Sequence, residues 1–128
     1  MNDSKNPLSP HLQIYRWHIS SLVSIVHRIT GILNLLGLIL VCAWISSAGI
    51  SENLFELFST FLKSFIGRFI LIGFTWSISY HLLSGIRHFF FDLGFGYELK
   101  TANVTGIIVI LGSLFLTITL WMIGRGIV

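Results

Sequence analysis

Residues 29–51 read ITGILNLLGLILVCAWISSAGIS, a run of 23 residues that contains no Asp, Glu, Lys or Arg. A helix needs about 20 mostly apolar residues to cross the hydrocarbon core of a bilayer, so this run is long enough. Two further runs, 69–86 and 101–124, are also free of these charged residues. The middle run is short, but the apolar residues from Phe61 onward allow its helix to begin earlier. The sequence therefore predicts three transmembrane helices.

The composition excludes other classes of protein. Of the 128 residues, 54% are hydrophobic and 10% are charged, whereas soluble chains have about 25% charged residues. Small soluble domains bury a smaller fraction of their surface than large ones, so a domain of this size could not hide so many apolar side chains. The composition also excludes a disordered chain, and the single cysteine, Cys42, excludes a disulfide-stabilised scaffold. A net charge of +3 gives little support for a nucleic-acid partner, and none is expected.

These patterns predict an all-α membrane protein that forms a single domain over residues 1–128. Before the first span, apolar residues alternate with His, Arg and Ser, which indicates a segment at the membrane interface. Polar connections are expected at 51–64 and 87–100, the latter with a turn at Gly94-Phe-Gly96. The predicted boundaries are an interfacial segment at 1–23 and transmembrane helices at about 24–49, 64–88 and 103–125.

Lysine and arginine residues near the ends of the spans predict the orientation. With the N-terminus inside, five of these residues lie inside and three lie outside, so the positive-inside rule favours an inner N-terminus. The first ten residues contain Asp3 and no apolar run, so they match neither a secretory signal nor an Arg-rich transit peptide. A bacterial or organelle-encoded protein is therefore expected.

Two polar clusters interrupt the apolar spans, and both lie near the predicted inner face. One is SIVHRITG at 24–31, and the other is HLLSGIRH at 81–88. His81 precedes Arg87 by six residues, which places it about 9 Å deeper in the membrane at 1.5 Å per helical residue. Residues three, four or seven positions apart share a helix face, and this spacing predicts one polar face in the second span. Its members are Ser77, His81, Ser84, Gly85 and His88.

His81 is a candidate haem ligand. A neutral imidazole inside a helical bundle is a suitable axial ligand for haem iron, and Gly85, one turn further, leaves room for a flat porphyrin. The haem propionates would need donors near the water interface, a role open to His27, Arg28 and Arg87. The alternative is that His81 bonds a backbone carbonyl or a nearby serine and only joins two helices. The spacing by itself leaves both interpretations open.

Ser24 and Arg28 form a second candidate site. They lie four residues apart on one helix, so a hydroxyl and a guanidinium can converge at the edge of the hydrocarbon core. A quinone carbonyl needs such donors in a mostly apolar slot, and Trp17 and Ile25 are candidates for its walls. The alternative is that Arg28 anchors the helix at the interface and that Trp17 belongs to the aromatic belt. Composition and spacing alone favour this alternative.

The motifs and their order resemble the family of cytochrome b556 membrane-anchor subunits of succinate dehydrogenase. The first family stretch is Pro7-Leu-Ser9-Pro10-His11-Leu12 with Ile14-Tyr15, followed by Ser24-x-x-His27-Arg28-x-Thr30-Gly31. The second is His81-x-x-x-Gly85-Ile86-Arg87-His88-Phe89-x-Phe91-Asp92-x-Gly94. Both stretches occur in the family's order, and the three-helix plan covers the whole chain. Asn6 stands where the family usually has Arg before Pro7, a departure that concerns one N-terminal contact.

The resemblance implies roles for the candidate residues. His81 would be this chain's axial ligand to one haem b, and the second histidine would come from another small anchor subunit. His27 and Arg28 would lie near the haem propionates. The residues that line the ubiquinone site would be Ser24, Arg28, Trp17 and Ile25.

The resemblance also implies partners. This chain would pack with a second anchor subunit into a helical bundle in the lipid and would hold an iron–sulfur subunit and a flavoprotein at the membrane. FAD and the iron–sulfur clusters would belong only to those partners, so this chain would perform no succinate chemistry. The bundle would lie in the bacterial inner membrane, or in the mitochondrial inner membrane, with the N-terminus on the cytoplasmic or matrix side. The alternatives are an anchor of a related fumarate reductase and a haem-free structural anchor or small transport component.

Overall fold

The chain forms four α-helices in a computed structural model that describes residues 17–127. They are α1 at Ile19–Ile50, α2 at Glu52–Lys63, α3 at Phe65–Asp92 and α4 at Leu99–Ile127. Three of them, α1, α3 and α4, are long and apolar enough to cross a membrane. These described residues contain no β-strand. The prediction of an all-α membrane protein with three spanning helices is therefore confirmed.

The three long helices extend beyond the predicted spans. α1 begins at Ile19, so residues 19–23 of the expected interfacial segment belong to a helix. Residues 1–16, which include Asn6, lie outside the described part of the chain. α3 continues to Asp92, and α4 begins at Leu99. A charge-free run underestimates a spanning helix because the helix ends pass through the headgroup region, where charged side chains reach water.

The polar connection predicted at 51–64, between the first two spans, is a helix, α2, rather than a loop. α2 has Glu52 in its first turn and Lys63 in its last turn, which suits the helix dipole. The indole of Trp44 in α1 donates a hydrogen bond to the hydroxyl of Ser59 at 3.1 Å, and its ring stacks on Phe55. The segment ENLFELFSTFLK has apolar residues at helical spacing, a pattern typical of an amphipathic helix. A search for long apolar runs does not detect this pattern.

Local interactions account for the corners at the two ends of α3. The hydroxyl of Ser64 accepts a hydrogen bond from the backbone N–H of Gly67 at 3.2 Å and so caps the helix. A Cβ at Gly67 would clash with the backbone of α2 at Phe61, so this corner requires glycine. After α3, Gly94 and Gly96 have φ angles of 87° and 83°, a conformation that favours glycine. These two angles confirm the predicted turn.

The helices pack through small residues. α3 contacts each of the other three helices, and Val23, Tyr80 and Val109 form the buried centre between α1, α3 and α4. Small side chains allow helices in a lipid environment to approach closely, where the burial of large apolar groups brings little gain. Most other fully buried side chains are small and polar, namely Thr30, Ser47, Ser77, Ser79, Ser84 and Ser113.

Arg87 is a cation buried among the spanning helices, with 6% of its surface exposed. Its Nε donates to the hydroxyl of Thr105 at 3.0 Å, and its Nη2 donates to Ser20 Oγ at 3.1 Å and to the carbonyl of Ala102 at 3.0 Å. The guanidinium carbon lies 4.4 Å from the centre of the Phe91 ring. These bonds direct the guanidinium to α1 and α4, and a role of Arg87 at haem propionates stays a prediction.

Arg87→Met is expected to lower the free energy of unfolding by about 2 kcal/mol, because it keeps the apolar stem but removes three charged hydrogen bonds. The measurement is a denaturant titration in detergent micelles, followed by circular dichroism. Arg68→Met is the matched control, since Arg68 lies on the same helix and is exposed, and its effect should stay within about 0.5 kcal/mol. Equal stability of the two variants would contradict this account of Arg87.

Candidate functional site

Three histidines from α1 and α3 meet in the bundle, and we call His27, His81 and His88 the histidine cluster. The rings of His27 and His81 are stacked, with centroids 4.1 Å apart and an interplanar angle of 9°. The ring of His88 lies 5.1 Å from that of His27 and is tilted by 48°. Because His81 and His88 are seven residues apart, they share the face of α3 that meets α1.

The two ring nitrogens of His81 have different surroundings. Nδ1 lies 3.2 Å from the carbonyl oxygen of His27 and 3.3 Å from Oγ1 of Thr30. A carbonyl oxygen only accepts, so this contact requires the proton on Nδ1 and leaves the lone pair on Nε2. Nε2 has no hydrogen-bond partner within the described part of the chain, and it is not sealed inside the protein. His81 can therefore ligate a metal through Nε2.

This geometry bears on both interpretations of His81. The bond to a backbone carbonyl, which the helix-joining interpretation expects, is present at His27. Histidines that ligate a metal usually donate their other N–H to a carboxylate, a backbone carbonyl or water, so the same bond also suits a haem ligand. The two interpretations are therefore compatible.

The surroundings of the histidine cluster fit a haem group. Nε2 of His27 and Oγ of Ser84 are buried without a hydrogen-bond partner within residues 17–127, although an unsatisfied buried polar group costs about 1–3 kcal/mol. A Cβ placed on Gly85 would meet nothing closer than Nε2 of His27, at 4.0 Å. In the described part of the chain, the site thus offers the unpartnered Nε2 of His81, a second unpartnered imidazole nitrogen on His27 and a glycine that keeps the helix face open.

A bare metal ion would need a different arrangement. Within the described residues, no group of three or more His, Cys, Asp or Glu side chains could hold a metal ion. An iron atom bound to His81 would therefore need further ligands from a porphyrin and from another chain.

The candidate quinone residues lie at the start of α1, beside the histidine cluster. Ser24 is half-buried and Arg28 is exposed, and no hydrogen bond joins the two in this part of the structure. Ile25 is 39% exposed, and Trp17, just before α1, is 66% exposed. Their convergence on one ligand stays a prediction.

Helix geometry relates the two candidate sites. Consecutive residues of a helix are about 100° apart around its axis. Arg28 therefore lies about 100° around α1 from His27, the residue that contacts α3. The candidate metal ligand His81, which stacks on His27, therefore lies near the candidate quinone residues Ser24 and Arg28.

Two further residues, Thr30 and Asn34, received no role from the sequence and are brought to the site by the structure. The hydroxyl of Thr30 donates to the carbonyl of His27 at 2.9 Å and also lies next to Nδ1 of His81. Oγ of Ser77 lies 3.1 Å from the carbonyl oxygen of Thr30 and 2.7 Å from Oδ1 of Asn34. Polar residues at 27, 30 and 34 recur at helical spacing on an otherwise apolar helix, and this signal could have found them.

Comparisons with known proteins give a consistent result. Residues 2–120 match the family model described as Succinate dehydrogenase/Fumarate reductase transmembrane subunit. The chain is similar to the succinate dehydrogenase cytochrome b556 subunit of Paracoccus denitrificans, with 38% identity over 118 residues that cover 92% of this chain and 91% of the relative. It is 39% identical to the corresponding subunit of Rickettsia prowazekii over 119 residues, 93% of each chain. The cytochrome b560 subunit of Marchantia polymorpha is 33% identical over 117 residues, which cover 88% of this chain and 85% of the relative.

Proposed function

Because the chain belongs to the succinate dehydrogenase/fumarate reductase transmembrane subunit family, we propose that it is the cytochrome b556-type membrane anchor of a succinate dehydrogenase. The observation that best supports this proposal is the state of His81 in the membrane-spanning bundle. Its Nδ1 is held by α1 and its Nε2 is free to bind iron. The relatives are named as cytochrome b subunits, which agrees with such a ligand.

His81 would hold haem b through Nε2, together with a histidine from a second small anchor subunit. When bound, haem b supplies a centre that takes up and releases one electron. The carbonyl of His27 accepts a hydrogen bond from Nδ1–H of His81, which fixes the orientation of the ring and makes Nε2 more basic. The side chains of His27 and Arg28 donate hydrogen bonds toward the haem propionates.

Ubiquinone binds beside this site, at the start of α1. Ser24 and Arg28 donate hydrogen bonds to a quinone carbonyl, and Trp17 and Ile25 form part of its apolar walls. Reduction of the quinone to quinol takes up two electrons and two protons. Arg28 polarises the carbonyl as a cationic hydrogen-bond donor, and water at the nearby interface supplies the protons.

The electrons come from partner subunits. A flavoprotein with FAD oxidises succinate, and an iron–sulfur subunit carries the electrons to the quinone at the membrane surface. α1, α3 and α4 anchor these subunits in the bacterial inner membrane, or in the mitochondrial inner membrane, with the N-terminus on the cytoplasmic or matrix side. The long apolar side chains that α1 leaves exposed, such as Ile32 and Leu36, contact lipid and the second anchor.

Deletion of this chain tests the proposal in cells. The flavoprotein and iron–sulfur subunit are expected in the soluble fraction, where they still oxidise succinate with a water-soluble dye as acceptor. Succinate-dependent quinone reduction by the membranes is expected to fall to background and to return when the wild-type chain is expressed again. Membranes that keep full activity without the chain would contradict the proposal. Loss of quinol-dependent fumarate reduction alone would point to an anchor of a fumarate reductase.

A further inference from the structure

We infer that Thr30 is a positioning residue for the haem ligand His81. Its hydroxyl accepts part of the Nδ1–H hydrogen bond of His81. The hydrogen bonds of Ser77 in α3 to Thr30 and Asn34 in α1, which we call the ladder, hold this hydroxyl in place. The inference rests on the proposed function, because Thr30 acts only by orienting His81, the proposed haem ligand.

The local geometry fixes the roles of donor and acceptor. The hydroxyl hydrogen of Thr30 is donated to the carbonyl of His27 at 2.9 Å, as is common for a threonine inside a helix. The lone pairs of Oγ1 are then free to accept from Nδ1 of His81, which lies 3.3 Å away. Thr30 is 0% exposed, so no bulk water competes for this bond. The Nδ1–H group of His81 is therefore shared between two acceptors, both supplied by α1.

Ser77 and Asn34 hold the backbone of Thr30 against α3. The hydroxyl of Ser77 lies 3.1 Å from the carbonyl oxygen of Thr30 and 2.7 Å from the amide of Asn34. Both partners are acceptors, so the single hydroxyl hydrogen of Ser77 is shared between Oδ1 of Asn34 and the carbonyl oxygen of Thr30. Ser77 and His81 are four residues apart on α3, so the ladder spans one helical turn.

The ring of His81 is also confined on its other sides. His27 stacks on its face, with 4.1 Å between the ring centroids. A Cβ added to Gly31 would lie 3.3 Å from Cε1 of His81, so the backbone of α1 lies close to the ring edge. A rotation of the imidazole about its χ2 angle would therefore break the Thr30 contact and meet a neighbouring group.

This hydrogen bond has a consequence for the iron. When Oγ1 of Thr30 accepts a hydrogen bond from Nδ1–H, the imidazole of His81 becomes a stronger electron donor through Nε2. A stronger donor favours the oxidised form of the bound metal. Loss of the Thr30 hydroxyl should therefore raise the midpoint potential of the haem. It should also lower haem affinity, since loss of a group that orients a metal ligand typically costs about tenfold or more.

The test uses the whole complex, purified from native membranes through a tag on this chain. Thr30→Val keeps the shape but removes the hydroxyl, and it should show a raised midpoint potential in a potentiometric titration and about tenfold weaker haem retention on detergent washing. Thr30→Ser should restore both values toward the wild type. Thr119→Val is the matched control, because the hydroxyl of Thr119 donates to the carbonyl of Phe115 in its own helix. This variant should change neither the midpoint potential nor the haem retention.

The inference fails if Thr30→Val has the midpoint potential and haem retention of the wild type. It also fails if Thr30→Ser behaves like Thr30→Val, because the methyl group and not the hydroxyl would then matter. If Thr30→Val does not assemble, Thr30→Cys gives the same two readings, since a thiol is a weak acceptor. An unchanged Thr30→Val complex beside a His81→Ala complex without haem would contradict this inference alone, whereas a normal haem spectrum in His81→Ala would contradict the proposed function.

Discussion

His81→Ala is expected to reduce the haem b content of the purified complex to background. Nε2 of His81 is the only haem-ligating atom that we assign to this chain, and alanine offers no replacement. The variant also leaves Thr30 Oγ1 and the carbonyl of His27 without the Nδ1–H donor. The measurement is the amount of haem per complex, determined from the visible spectrum of the extracted pigment.

His88→Ala is the control for this variant. His88 belongs to the same histidine cluster and lies beside His27, but we assign it no bond to iron. The His88→Ala complex should therefore keep its haem, and both complexes should contain the same subunits. Full haem content in His81→Ala would contradict the assignment, and equal loss in both variants would show that the cluster matters only for folding.

Arg28→Ala is expected to lower kcat/KM for quinone by about 100-fold, the typical effect of removing a charged donor from a reacting carbonyl. The kcat/KM of Arg28→Lys should lie between those of the wild type and Arg28→Ala, because an ammonium keeps the charge but lacks the planar fork of a guanidinium. Ser24→Ala should cost about tenfold, equivalent to one neutral hydrogen bond of about 1.4 kcal/mol. The measurement is succinate-dependent quinone reduction at varied quinone concentration.

Two controls separate a quinone effect from a folding effect. Reduction of a water-soluble dye by the same samples should stay at the wild-type rate, because the flavoprotein reacts before the quinone site. Arg68→Ala removes an exposed arginine from α3, for which we propose no part in quinone binding, and it should leave quinone kinetics unchanged. Wild-type quinone kinetics in both Ser24→Ala and Arg28→Ala would contradict the proposed pocket.

The spanning helices could be predicted because lipid imposes a simple rule on sequence. Backbone polar groups in a bilayer must be satisfied within the element, so long apolar runs have to become helices. The polar face of α3 was predictable for a related reason, since its members recur at helical spacing. Ser77, His81 and Gly85 do face α1, as their contacts with Thr30 and His27 show.

Contacts between helices could not be predicted from one helix at a time. The bond between Thr30 and His81 depends on the rotation and the register of α1 against α3, and neither follows from the spacing within α1. Arg87 was assigned to the interface because its charge suggests water. Its acceptors, at Ser20, Ala102 and Thr105, belong to two other helices and become visible only when these helices pack around it.

The most direct test of the central claim is one experiment on the complex purified from native membranes through a tag on this chain. A reduced-minus-oxidised visible spectrum and succinate-dependent quinone reduction are measured on the same sample. The account predicts a b-type cytochrome signal together with quinone reduction by co-purified flavoprotein and iron–sulfur subunits. An intact complex that shows neither a b-type signal nor succinate-dependent quinone reduction would contradict it.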